Sequence, residues 1–252
     1  MGSKKYKYGF VLGGGGARGF SHLGAIQALI EKGIKPDVIS GVSAGSIAGA
    51  FLASGLTPNE TLELLKNKGV FNFSKIHFPI SGLLSLDGLE KEIDNNIQFK
   101  NIEDLPTPFI VAVTNLNDGV IEYKSSGPLG RTVLSSSSIP ILFKPVEMNG
   151  IQYVDGGVID NLPIAPIIDD CETILGFSIM PISKIKRFEN LIQIAQRMFQ
   201  VSISKQAENN KKLCDYVFEP KGLRKFDILD GSKADQLFEI GYNEVKKTEI
   251  NL

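Results

Sequence analysis

The stretch DVISGVSAGSIAGAFLASG, residues 37–55, decides how the chain is read. DVISG (37–41) has the length and apolar character of a short buried strand, and AGSIAGAFLASG (44–55) is a small-residue helix closed by a glycine. Between them stands GVSAG (41–45), a serine framed as G-x-S-x-G on the turn from strand to helix. That frame is the usual setting of a nucleophile, because the turn lifts the hydroxyl clear of the sheet. Gly41 and Gly45 flank Ser43 where side chains would clash in a strained turn. Five residues also fit a turn with no chemistry, so the neighbouring sequence has to choose.

Upstream, KYGFVLG (7–13) reads as a buried strand ending in four glycines, and FSHLGAIQALIEKG (20–33) as a helix with Gly33 as its C′ residue. The linking segment, LGGGGARG (12–19), has two readings. Gly14 to Gly19 match G-x-G-x-x-G, the dinucleotide fingerprint, which needs an acidic residue ~20 positions on at the end of the second strand. That strand ends in GVSAG, and Asp37 stands at its wrong end. The other reading is an oxyanion hole, since glycines bring backbone N–H groups close to a substrate and a helix start favours negative charge. As parallel neighbours, the two strands would deliver the glycine loop and Ser43 to the same carboxyl edge of a sheet, where open α/β sheets bind ligands.

The remaining chain keeps alternating. Thr57-Pro58-Asn59-Glu60 forms a capping box for a helix to about Lys68, and Asp87-Gly88-Leu89-Glu90 opens another in the same way. PFIVAVTNL (108–116) is a strand, turned by Asp118-Gly119 into VIEYKS; residues 128–138 are helical and stop before Pro140. VEM-NG-IQYV (146–154) is a hairpin. A Pro-rich short helix precedes Asp169 and Asp170, followed by a strand at 173–179, a helix at about 188–210, a strand at 214–218 and a helix at about 233–247. This order predicts a three-layer α/β/α fold with a largely parallel central sheet in a single domain, residues 1–252, with its core motifs within 8–165 and a C-terminal α/β portion at 166–252.

Composition narrows the function. Apolar residues make up 42% and charged residues 22% of 252, with a net charge of −1, so no basic field attracts nucleic acid. The lysines of SKKYK (3–7) read as a solvated arm. Cys171 and Cys214 have neither a disulfide framework nor metal-ligand spacing around them, and read as buried free thiols. No apolar run approaches the ~18 residues of a membrane span, and no signal peptide is visible, so the expectation is a cytoplasmic protein, peripheral if it meets a membrane.

A serine needs a base, and there are two histidines. His22, three residues after Gly19, reads mainly as a strut for the glycine loop. His77 lies in FNFSKIHFPISGLLSL (71–86), an apolar segment that is either lid or core. In the hydrolases that own the elbow the histidine comes last, and none follows position 77. Asp155, in YVDGG (153–157), is the best remaining base: Gly156 and Gly157 leave room for a hydroxyl, although Asp-Gly alone would signal only a turn. Asp160 and Asn161 read as residues that shape that turn.

With GGGARG at 14–19, GVSAG at 41–45 and DGG at 155–157 in this order, the chain resembles the patatin-like phospholipases, serine acyl hydrolases with a Ser-Asp dyad. FKPVEMNGIQYVDGGVIDNLP (143–163) has the family's look, the likeness covers about residues 8–165, and DQLFEIGY (235–242) is a looser echo. The resemblance implies that Ser43 attacks an ester carbonyl of a phospholipid or lysophospholipid while Asp155 accepts its proton. Gly14, Gly15 and Gly16 would hold the oxyanion, with Arg18 fixing the loop or steering a head group. It implies no metal or cofactor, and reversible contact with a membrane surface. A general carboxylesterase or thioesterase with the same dyad, a non-catalytic lipid-binding module and a nucleotide-binding oxidoreductase are the other readings.

Overall fold

The computed structural model describes residues 4–68, 86–182, 184 and 187–251. Among the described residues eight strands form one sheet: β1 Tyr6–Leu12, β2 Val38–Gly41, β3 Phe109–Asn115, β4 Val120–Lys124, β5 Val146–Met148, β6 Ile151–Asp155, β7 Cys171–Phe177 and β8 Tyr216–Phe218. Their order is β5-β6-β3-β2-β1-β7-β8, with β4 also paired to β3. From β3 through β8 the pairings are parallel, while β4, β5 and β6 join antiparallel. The α-helices among the described residues are α1 Phe20–Glu31, α2 Ala44–Ala53, α3 Pro58–Lys68, α4 Asp87–Asn96, α5 Leu129–Ser136, α6 Leu191–Lys211 and α7 Ala234–Lys247.

Period-2 alternation along the strands sorts the core onto two sides. Phe10, Leu12 and Ile39 pack with Leu23 of α1, Phe51 of α2, Val133 of α5 and Leu237 of α7. Val11 and Val38 point the other way, onto Ile164, Ile167 and, from α6, Ala207. The sheet therefore lies between helices, the predicted α/β/α layering, with α6 and the segment before β7 covering the thinner side.

Local signals explain the element ends. Thr57 and Glu60 cap α3 reciprocally: Glu60 N–H donates to Thr57 Oγ1 at 3.3 Å, and Thr57 N–H donates to Glu60 Oε2 at 2.8 Å. Gly33, at φ 82, ends α1, with its N–H donating to the Ile30 carbonyl and that of Ile34 to the Leu29 carbonyl. Asn149 and Gly150 both take positive φ, as the tight hairpin turn requires.

Three local expectations fail. The helix at Asp87 takes Leu86 as its N-cap residue, one position before the expected Asp87. Residues 165–170 are a run of turns and not a short helix; Pro166 removes an N–H from that stretch. Cys214 is half-buried, unlike Cys171, though both are free thiols. His77 and the question of lid or core at 71–86 lie outside the described residues, apart from Leu86, which is buried.

The register of β3 decides what meets at the sheet's edge. Val111 pairs with both Gly41 of β2 and Lys124 of β4, and Val113 pairs with both Asp155 of β6 and Glu122 of β4. Since β4 occupies one edge of β3, β2 and β6 must share the other. They approach head-on: β2 ends at Gly41 and β6 ends at Asp155, two β3 positions apart.

Candidate active site

Ser43 occupies the gap between those strand ends. It caps α2 with φ 54 and ψ −125. A non-glycine residue held in so sparsely populated a region costs about 1–3 kcal/mol, and surrounding bonds must hold it there. The Ser43 N–H donates to Ser136 Oγ at 2.9 Å, and Ser136 Oγ donates onward to the Ala112 carbonyl at 2.8 Å. The Ser43 carbonyl accepts from Ser46 Oγ at 2.7 Å and from the amides of Ser46 and Ile47. A side chain at Gly45 would put its Cβ 2.1 Å from the Leu12 carbonyl, and one at Gly41 would lie 2.7 Å from the Gly45 carbonyl. The elbow glycines are therefore needed for close backbone approach, while the positive φ falls on the serine itself.

Asp155 is fully buried, and its carboxyl is held by its own turn: Oδ1 accepts from Gly157 N–H at 2.7 Å. Its backbone N–H donates to the Ser138 carbonyl, and its carbonyl accepts from Thr114 Oγ1. Burial pushes this carboxyl up to about 7, against the opposing effects of the Ser43 hydroxyl and the Gly157 amide. The hydroxyl is near enough to favour the carboxylate, yet Oδ2 has no closed hydrogen bond. Gly156 lets β6 pass against β3, since a Cβ there would stand 2.3 Å from the Ala112 carbonyl.

The glycine loop lies on the other side of Ser43. A Cβ at Gly14 would be 3.0 Å from Ser43 Cβ, so the loop is in contact with the elbow. Its amides are not equivalent. Gly14 N–H donates to the Asn161 carbonyl at 3.3 Å, whereas the amides of Gly15 and Gly16 have no acceptor among the described residues. Gly16, at φ 57, begins a short 3-10 turn, Gly16–Gly19, and Gly19 then caps α1 with an ordinary helical φ of −54. Arg18 is buried and forks onto the Phe226 carbonyl, Nη2 at 2.8 Å and Nε at 3.1 Å. It fixes the loop; burial lowers its guanidinium to about 10, with Asp227 opposing, and leaves it charged.

His22 braces the same loop. Its Nε2 lies 2.8 Å from the Gly13 carbonyl, which only accepts, so the proton sits on Nε2. Burial lowers its pKa to about 4, and the ring is neutral. Asn161 is a residue that sequence reasoning undervalued. Its backbone carbonyl and Nδ2 both engage Gly14, and its Oδ1 would meet a Cβ at Gly14 or Gly157, so it wedges the glycine loop against the Asp155 turn. Ser136 was missed altogether; its only sequence signal is the serine run at 135–138. Among the described residues no three His, Cys, Asp or Glu side chains gather in a way that could hold a metal ion, and no helix is long and apolar enough to cross a membrane.

The chain is similar to known proteins. A family model described as "Patatin-like phospholipase" matches residues 10–168. Proteins named lysophospholipase NTE1 align with most of the chain. That of Kluyveromyces lactis is 29% identical, with 93% of this chain and 18% of its own length aligned; that of Mycosarcoma maydis is 30% identical, with 93% and 14%. The chain thus spans less than a fifth of these relatives. Among solved structures, VipD from Legionella pneumophila is similar over 96% of this chain and 68% of its own, at 17% identity and a TM-score of 0.49. By its family match, the chain belongs to the patatin-like phospholipases.

Proposed function

We propose that this chain is a serine acyl hydrolase that cleaves fatty-acyl esters of phospholipids or lysophospholipids, with Ser43 as nucleophile and Asp155 as general base. One observation carries the reading: a strained, elbow-held serine meets a fully buried carboxyl whose Oδ2 is unpartnered and whose pKa is raised to about 7. A base poised near working pH combines a useful deprotonated fraction with a useful drive for proton transfer.

Ser43 Oγ attacks the ester carbonyl as its proton passes to Asp155 Oδ2. The oxyanion forms against the amides of Gly15 and Gly16, with Gly14 serving as the loop's anchor to Asn161. Collapse breaks the ester C–O bond, the alcohol leaves with the proton from Asp155, and the acyl group stays on Ser43. Water then attacks the acyl carbon, giving a proton to Asp155; the acyl–Oγ bond breaks, Ser43 regains the proton and the fatty acid departs. No step calls on a metal. Loss of one oxyanion donor commonly costs ~2.7–4 kcal/mol, so the Gly15–Gly16 pair is a major part of the rate.

The name of the NTE1 relatives favours a lysophospholipid over a simple ester. Fatty-acid release from lysophosphatidylcholine tests this. The wild type is expected to release it and Ser43→Ala is not. Hydrolysis confined to short-chain carboxylesters or thioesters would move the assignment to a general esterase.

A further inference from the structure

Away from Ser43, α6 carries an unexplained surface. Leu191, Ile194, Met198 and Val201 are exposed, Leu191 by 81% and Met198 by 65%. Their spacing, at about 3.6 residues per turn, gathers all four on one narrow stripe running ~15 Å along the helix. Isolated exposed apolar side chains are unremarkable, but an ordered stripe on one helix face marks an interaction surface.

The neighbouring face of α6 has a different character. Gln193, Arg197 and Gln200 line a cleft of about 460 Å³ together with residues 224–228. Among the described residues five basic side chains line it, Arg18, Arg187, Arg197, Arg224 and Lys225, against two acidic ones, Glu189 and Asp227. This excess stands in a protein of net charge −1. Arg187, Arg224 and Lys225 form no ion pair among the described residues. The cleft is built from the segments that follow β7 and β8, so it opens at the carboxyl edge of the sheet, the edge that holds Ser43.

We propose that this face docks the protein on an anionic phospholipid bilayer, with the α6 stripe buried among acyl chains and Arg187, Arg224 and Lys225 against lipid phosphates. An apolar stripe beside arginines and lysine is the composition of an interfacial helix: apolar burial supplies adhesion, and the basic groups select an anionic surface. A second copy of the chain would cover the stripe equally well, but two copies would bring their basic clefts together.

The test is co-sedimentation with vesicles of phosphatidylcholine, alone or mixed with phosphatidylglycerol, on the Ser43→Ala background. Lipid is then not consumed, and the result does not depend on the proposed reaction. Mixed vesicles are expected to bind the protein more tightly than pure phosphatidylcholine. Met198→Glu should weaken binding to both by more than tenfold. Arg224→Gln with Lys225→Gln should weaken binding to mixed vesicles only, by about fivefold per charge removed, which is ~1 kcal/mol each. On the Ser43-intact protein, the same variants should hydrolyse a short water-soluble ester at the wild-type rate. Wild-type vesicle binding by Met198→Glu would overturn the proposal. So would charge-independent binding, or a dimer in solution that Met198→Glu dissociates.

Discussion

Asp155 carries the proposed chemistry because its surroundings make it an unusual aspartate. Its carboxyl is fully buried with one oxygen unpartnered, so its charged form is disfavoured and its pKa rises to about 7. Two predictions follow from the sign of that shift. Ester hydrolysis should rise with pH to a plateau, with a midpoint near 7 in kcat/KM, because only the carboxylate accepts the serine proton. Stability should move the other way. Between the ordinary carboxylate range and about 7, the folded state keeps a proton that the unfolded chain releases, so this group lowers stability as pH rises through that window. Asp155→Asn should therefore unfold at a higher temperature than wild type at mildly alkaline pH, with the gap closing as pH falls toward 4. A gap that widens on acidification would contradict the assignment.

At the scale of elements, the head-on approach of β2 and β6 along one edge of β3 brings Ser43 and Asp155 together. The elbow is tolerated because α2 starts hard against β1. Gly45→Ala would push a methyl group into the Leu12 carbonyl, and should cost about 1–3 kcal/mol in urea unfolding and displace the nucleophile. Gly88→Ala, in α4 with open space around it, is the matched control, and should be neutral or stabilising by up to ~1 kcal/mol. Much of this level is legible in the sequence: the strands flanking the glycine run and GVSAG, the Thr57–Glu60 cap, the Gly33 stop and the Asn149-Gly150 hairpin all announce themselves through local chemistry. The register that sets Asp155 against Ser43 does not, because it depends on which residue of β3 each strand meets. Asn161 and Ser136 were illegible for the same reason: each acts on a partner more than 90 positions away.

Over the whole molecule, the sheet order gathers the glycine loop, the elbow and the Asp155 turn at one edge of the sheet, and Arg18 and His22 brace the loop. The order of strands and helices predicted the layered α/β fold but said little about the α6 surface, whose exposure depends on what the rest of the chain leaves uncovered. The central claim is that Ser43 is activated by Asp155, and reaction with a fluorophosphonate probe addresses it most directly. Wild-type protein should be labelled on Ser43, Ser43→Ala should not be labelled, and Asp155→Asn should label far more slowly while keeping its fold. Equal labelling of wild type and Asp155→Asn would contradict the account, since the serine would then draw its reactivity from another group.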